Sequence, residues 1–368
     1  LSRRGLINSF KRMQAAVLIQ PNTPLEITDL EIPALKRGQV LVKILYSGIC
    51  QSQLMEAGGF RGPDAYLPHL LGHEASAVVV AIGEGVTKVK PKDNVILTWI
   101  KSSGIDAGGT KYKVIRGSKN LPGGTLVNAG AVTTFSNFAV VSENRCVMLP
   151  FGMSPEDAIL FGCALPTGAG IVANELKPPP GSPVLVVGLG GIGTSALCMA
   201  LAMGCQPVVG VDIEPSKLEF AKKMGAHFVA HIDALRSKSV WEQTLKAQGF
   251  EPDFPFVIDA GGTTESIELA FSATKASGGT CIFASHPPKD DRIKLDPYDL
   301  IRGKNIKGSW GGATKPDIDI PKMFDHFKTS NVNLSAMLSE PFQLANINQA
   351  MDHLRSRSAV RVIIKMSH

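Results

Sequence analysis

Three glycines and one carboxylate carry the densest chemical signal in this 368-residue chain. Residues 183–187, Pro-Val-Leu-Val-Val, have the composition of a buried strand, and Gly188, Gly190 and Gly193 follow directly, with Gly191 and Ile192 between the last two. At this spacing the first glycine permits a tight turn. The second lets backbone approach a pyrophosphate, and the third lets a helix pack closely on the strand before it. The N-terminus of that helix offers unpaired N–H groups to phosphate oxygens. Asp212 lies 19 residues after Gly193, behind the apolar run Pro-Val-Val-Gly-Val. A carboxylate there can accept from adenosine ribose hydroxyls and repels a 2′-phosphate. The segment therefore reads as a dinucleotide site for NAD rather than NADP.

A second set of reactive residues lies upstream: Cys50 in Ser-Gly-Ile-Cys-Gln-Ser, His73 with Glu74 in Leu-Gly-His-Glu, and Cys163 in Phe-Gly-Cys-Ala. A single cysteine usually fills a small apolar gap, and a single histidine usually finds a hydrogen bond in a core. Two thiolates and an imidazole together form a three-ligand set that leaves the fourth position of a tetrahedral zinc open, as a catalytic site requires. Zinc held in this way acts as a Lewis acid and acidifies a bound alcohol or water.

The elements that must position these residues fall into two styles. From Gln14 to about residue 100 the chain shows short aliphatic strands, among them 15–19, 39–46, 75–82 and 95–99, bounded by Gly, Pro, Asn and Asp. Residues 101–131 are rich in Gly, Ser and Lys with little periodicity and read as a long excursion. Strands return at 136–141 and 145–149, which predicts a β-rich, partly barrel-like domain. From about 168, strands and helices alternate: helix 192–203, strand 208–211, a helix begun by Pro215, and strands at 227–230, 256–259 and 280–284. That rhythm predicts a parallel sheet covered on both faces by helices. After about 304 the pattern becomes irregular. A helix capped by Asn346 and a strand at 360–364 close the chain.

The length predicts two domains. A composition of 44% hydrophobic and 19% charged residues is that of a globular protein. The net charge of +6 is thinly spread. Without a basic block interleaved with aromatics, nucleic acid is not an expected partner, although a mild positive field helps gather an anionic dinucleotide. No apolar run reaches 18 residues, so no membrane span is expected. Cysteines at 50, 146, 163, 198, 205 and 281 lack the spacing of a disulfide framework and fit a reducing compartment, the cytoplasm. Residues 1–12 are basic, contain no acid and precede Met13, so 1–13 read as a leader or the remnant of a targeting segment.

Across residues 14–366 the chain resembles the medium-chain zinc-dependent alcohol dehydrogenases. The resemblance rests on Gly48-Ile49-Cys50-Gln51-Ser52, Gly72-His73-Glu74, Gly83-Glu84-Gly85-Val86-Thr87, Thr134-Phe135-Ser136-Asn137-Phe138, Gly162-Cys163, Thr167-Gly168, the glycine fingerprint, Asp212 with Lys217, and 308–312. It implies an α/β architecture. A β-rich, GroES-like catalytic domain (14–167 and 305–368) would be interrupted by a doubly wound Rossmann domain (168–304). It also implies one catalytic zinc on Cys50, His73 and Cys163, with Glu74 behind the metal. Ser52 would hydrogen-bond the substrate hydroxyl and start the proton relay, and Thr167 would lie against the nicotinamide. Asp212 and Lys217 would bind the adenosine ribose, Arg361 would reach the pyrophosphate, and Trp99 would stand in the pocket of a small alcohol or carbonyl substrate. A homodimer or homotetramer joined through the dinucleotide domains is implied as well.

Three departures qualify the resemblance. Lys101–Arg116 contains no cysteine where many members hold a structural zinc, so one zinc per chain is expected and other contacts must hold this lobe. Met55 stands where members often carry a proton-relaying histidine, which leaves a water chain or Glu56 to do that work. Gln53 replaces an aspartate that orients the ligand histidine. Its carboxamide oxygen can still accept from the imidazole N–H but carries no charge. Two other classes stay open: a zinc-free quinone or enone reductase using NADPH, and a non-enzymatic dinucleotide sensor. Within the enzyme reading, a polyol or thiol-adduct dehydrogenase is the alternative substrate class.

Overall fold

A computed structural model describes residues 11–60, 62–288, 290–330, 332–356 and 360–368. The chain forms two compact units. One comprises the described residues up to Cys163 together with 315–317 and 335–368, and the other comprises 164–314 and 318–334.

The first unit opens with β1 (Arg12–Leu18), β2 (Glu26–Glu31) and the long β3 (Gln39–Ile49). A short helix α1 (Gln51–Ala57) follows, then β4 (His69–Leu70), β5 (Ala75–Ile82), β6 (Asn94–Leu97), β7 (Thr110–Arg116), β8 (Leu126–Ala129), β9 (Phe138–Ser142) and β10 (Cys146–Met148). The leader expected at 1–13 lies mostly outside the described residues. Arg12 and Met13 do not belong to it: they open β1, where Arg12 pairs with Glu31 and Met13 is buried.

The second unit is a six-stranded parallel sheet. Its strands are β11 (Val184–Val187), β12 (Val208–Asp212), β13 (Phe228–His231), β14 (Phe256–Asp259), β15 (Thr280–Phe283) and β16 (Asn305–Gly308), in the spatial order β13-β12-β11-β14-β15-β16. This doubly wound order reverses direction between β11 and β14, and a crevice forms outside the strand C-termini at such a switch point. All four residues of β11 and all five of β12 are buried, as expected for strands covered on both faces. The helices are α2 (Ala164–Gly170), α3 (Gly191–Ala202), α4 (Pro215–Lys223), α5 (Lys238–Lys246), α6 (Thr264–Ser272), α7 (Pro297–Ile301) and α8 (Pro316–Thr329). The expected boundary at 304 falls too early. Asn305–Gly308 hydrogen-bonds along β15 as the sixth strand, and 318–334 also belongs to this unit. Pro321 sits inside α8.

The chain then returns to the first unit with β17 (Phe342–Gln343), α9 (Ile347–Arg355) and β18 (Val362–Lys365). Ile347, Ala350, Met351 and Leu354 form the buried face of α9, whereas the side chain of Asn346 makes no capping hydrogen bond. Strands β1, β2, β7, β8 and β4 close a barrel, and the sheet β10-β6-β5-β3-β18-β17, with β9 also on β3, packs the main core. The excursion read at 101–131 is therefore largely structural, because its β7–β8 hairpin completes the barrel. Tyr112 of β7 is fully buried, and its hydroxyl oxygen accepts from the Val140 N–H at 2.7 Å.

The cysteine-free lobe at 101–109 is held by carboxylates. Glu143, 1% exposed, accepts from Thr87 N (2.7 Å), Lys88 N (2.8 Å) and Ile105 N (2.8 Å). Asp317 accepts from the amide (2.9 Å) and hydroxyl (2.6 Å) of Ser103 and pairs with Lys88 at 2.6 Å.

Candidate metal centre and dinucleotide loop

Cys50, His73 and Cys163 come together in the first unit, their ligand atoms all within 4.8 Å of one another. Cys50 sits where β3 gives way to α1 and is the N-cap residue of that helix. His73 follows the short β4, and Cys163 ends a 3₁₀ turn over Asp157–Gly162. The glycines beside the ligands make room for Glu74: a Cβ at Gly48 would lie 2.5 Å from Glu74 Oε1, and one at Gly162 would lie 2.6 Å from Glu74 Cβ.

The geometry fits zinc. With Zn–S bonds of about 2.3 Å, tetrahedral angles place two sulfurs about 3.8 Å apart, and Cys50 Sγ and Cys163 Sγ are 3.9 Å apart. His73 Nε2 is buried without a hydrogen-bond partner, as a nitrogen reserved for a metal would be. The Cys50 thiol is held well below its usual range by the Cys163 hydrogen bond and by His73 and Arg361 nearby, against the opposing effect of burial. Cys163, as donor in that pair and buried, is pushed up.

Glu74 is fully buried. Its Oε1 accepts from Arg361 at 2.7 Å, while Oε2 has no partner. Burial pushes this carboxyl up to about 7 against the pull of the guanidinium. Arg361 is 3% exposed and also donates to Ile49 O at 3.2 Å. The resemblance implied that Arg361 would reach the pyrophosphate. The structure commits it to a buried ion pair, because β18 lies against β3 and brings residue 361 beside Ile49 and Glu74. Ser52 Oγ is buried and unpartnered. Trp99 is half-buried just past β6, and its carbonyl accepts from Arg145.

Gln53 contradicts its expected contact. Its Oε1 accepts from Cys50 N at 2.9 Å, which turns Nε2 toward His73 Nδ1 at 2.6 Å. The amide nitrogen, not the oxygen, faces the ring. Sequence reasoning also missed a cluster of Glu56, Asp64 and His69, whose ligand atoms fall within 4.8 Å of each other. His69 Nε2 meets Asp64 Oδ2 directly at 2.7 Å. Glu56, His69, Gln53 and His73 share the wall of a cavity of about 680 Å³.

In the second unit the glycine loop has the form its spacing implied. Gly188 has φ +86°, and a Cβ at Gly193 would lie 1.7 Å from Gly188 O, so α3 can start against β11 only with glycine there. Nothing lies within 4 Å of the Cβ direction of Gly190, which leaves backbone open to a ligand beside Gly191 and Ile192 at the start of α3. Asp212 ends β12. Its Oδ2 accepts from Leu189 N (2.6 Å) and its Oδ1 from Glu214 N (2.9 Å), with Lys217 Nζ 3.8 Å from Oδ2. Thr167 is buried in α2.

Among the described residues no helix is long and apolar enough to cross a membrane. Residues 36–151 match the family model of the alcohol dehydrogenase GroES-like domain, and 191–329 match that of the zinc-binding dehydrogenase. The chain is 28% identical to S-(hydroxymethyl)glutathione dehydrogenase of Escherichia coli O6:H1, over 96% of this chain and all of that protein. It superposes on benzyl alcohol dehydrogenase from Acinetobacter calcoaceticus with a TM-score of 0.84 at 25% identity, covering 97% of this chain and 100% of that one. An alcohol dehydrogenase zinc-binding domain protein from Burkholderia ambifaria gives a TM-score of 0.83 at 25% identity, covering 97% and 99%. With the domain order, the parallel sheet and the Cys-His-Cys cluster all in agreement, the chain belongs to the medium-chain zinc-type alcohol dehydrogenase family of oxidoreductases.

Proposed function

We propose that this protein transfers a hydride between a primary alcohol and NAD, using one zinc ion held by Cys50, His73 and Cys163. The observation that carries the reading is the cluster itself: two sulfurs at the spacing of a tetrahedral metal site beside a buried imidazole nitrogen with no other partner. Bound there, zinc supplies a Lewis acid for a hydroxyl or carbonyl oxygen, and NAD supplies the hydride acceptor.

The chain's own residues do the rest. Ser52, with its hydroxyl buried and unpartnered, is the group we assign to take the alcohol proton. Methionine at 55 cannot pass that proton on, so the relay runs through water or Glu56. Glu74 and Arg361 keep the ground behind the ligands close to neutral. The open backbone at Gly190 and the start of α3 receive the pyrophosphate, and Asp212 with Lys217 receives the adenosine ribose. Thr167 is assigned to the nicotinamide and Trp99 to the substrate pocket. Two relatives are named for substrates that end in a hydroxymethyl group, which supports the primary-alcohol class. Six free cysteines support a reducing compartment.

The test is zinc content on protein purified without added metal or chelator, followed by NAD reduction across primary, aromatic and thiol-adduct alcohols. One zinc per chain with turnover, both lost in Cys163→Ala, is the expected result. Reproducible absence of zinc with NADPH-dependent enone reduction would replace this reading with that of a zinc-free reductase. Bound NAD without turnover of any alcohol would make the protein a sensor.

A further inference from the structure

Gln53 serves two neighbours at once. As the third residue of α1 it caps the N-terminus, accepting from the Cys50 amide through Oε1 at 2.9 Å. Its Nε2 lies 2.6 Å from His73 Nδ1, and the residue is 2% exposed. An amide nitrogen only donates. His73 Nδ1 therefore accepts, and a neutral ring then carries its proton on Nε2, the nitrogen that faces no other hydrogen-bond partner.

A metal needs the Nε2 lone pair. Ligation moves the ring proton from Nε2 to Nδ1, one released and one taken up, with no net change on the ring. Two N–H groups, of Cys50 and of Nδ1, then point at opposite ends of one carboxamide that has a single oxygen. Turning the amide over satisfies the ring and faces its NH₂ to the Cys50 amide. Leaving it in place does the reverse. Either way one buried donor loses its acceptor when the site fills, and a carboxylate at the same position would serve both.

We propose that Gln53 is a positioning residue that keeps zinc affinity low by favouring the ring tautomer a metal cannot use, so that zinc in this protein exchanges more readily than a carboxylate at position 53 would allow. This rests on the reading of Cys50, His73 and Cys163 as ligands.

The experiment compares the full-length chain with Gln53→Glu, both stripped of metal, in zinc titrations against a chromophoric chelator. Gln53→Glu should bind zinc about 10- to 100-fold more tightly, the range of effects for outer-shell partners. An added charge alone could produce that gain, so a second measurement reads the tautomer. In ¹⁵N-histidine spectra, with the His73 signal identified by its loss in His73→Asn, metal-free wild type should show an unprotonated Nδ1. Gln53→Glu should show a protonated one. Affinities within threefold of each other, or a protonated Nδ1 in the metal-free wild type, overturn the role of Gln53 while leaving the ligand set intact. Zinc uptake by neither chain overturns both.

Discussion

At the scale of single residues, the buried Glu74–Arg361 pair is the most committed feature of the metal region. Both side chains are almost wholly withdrawn from water at 2.7 Å. Removing one partner leaves an uncompensated charge, so Arg361→Met should cost about 3–5 kcal/mol, read as a lowered urea midpoint. Adding Glu74→Leu to that variant should recover most of the loss, because an apolar pair avoids the desolvation that the ion pair has to offset. Asp212 makes a separate prediction. Its carboxylate is fixed by Leu189 N and Glu214 N at the end of β12, where a 2′-phosphate would meet a like charge. On the proposed NAD reading, replacing it with Ser should reduce the preference for NAD over NADP by about tenfold or more, since juxtaposed like charges cost several kcal/mol. Initial rates with both cofactors measure this, and an unchanged ratio would move the ribose site elsewhere.

Among the elements, the lobe at 101–109 shows how a segment without a metal clip is held. Glu143 receives three amide N–H groups from two separate stretches of chain. A glutamine there has one oxygen for donors that now use two. Glu143→Gln should therefore destabilise the fold by about 2–3 kcal/mol, in line with hydrogen bonds to charged groups, and amide exchange should rise first at residues 101–107. Burial pushes this carboxyl up, but the bonds from Ile105, Lys88 and Thr87 outweigh it and hold it below its ordinary value. The unfolded chain then binds a proton more readily than the folded one. The contribution is complete above the unfolded value of about 4.3 and fades as pH falls through the lower folded value. Unfolding free energies between pH 6 and pH 3 should fall less steeply in Glu143→Gln than in wild type.

Over the whole molecule, each unit has a core of its own, built from aliphatic strands rather than around a metal. Stripping zinc with a chelator should therefore abolish turnover yet leave a cooperative thermal transition, lowered only by the loss of ligand linkage. A chain that unfolds on metal removal would mean that the site is structural. The fingerprint at 188–193, the alternation after 168 and the β-rich character before it could be read from residue order, because turn chemistry and strand burial are local properties. So could the candidates for a cluster, the glycine-flanked Cys50, His73 and Cys163, whose ligand atoms the fold brings within 4.8 Å of one another. What the sequence could not contain was the pairing of parts far apart along it. That the hairpin of β7 and β8 closes a barrel, that β16 extends the parallel sheet, and that Arg361 turns inward to Glu74 all depend on which strands lie side by side. The direction of the Gln53 amide was hidden for the same reason. It is decided by a backbone N–H three residues away and an imidazole twenty residues away, and only folding brings both against one side chain.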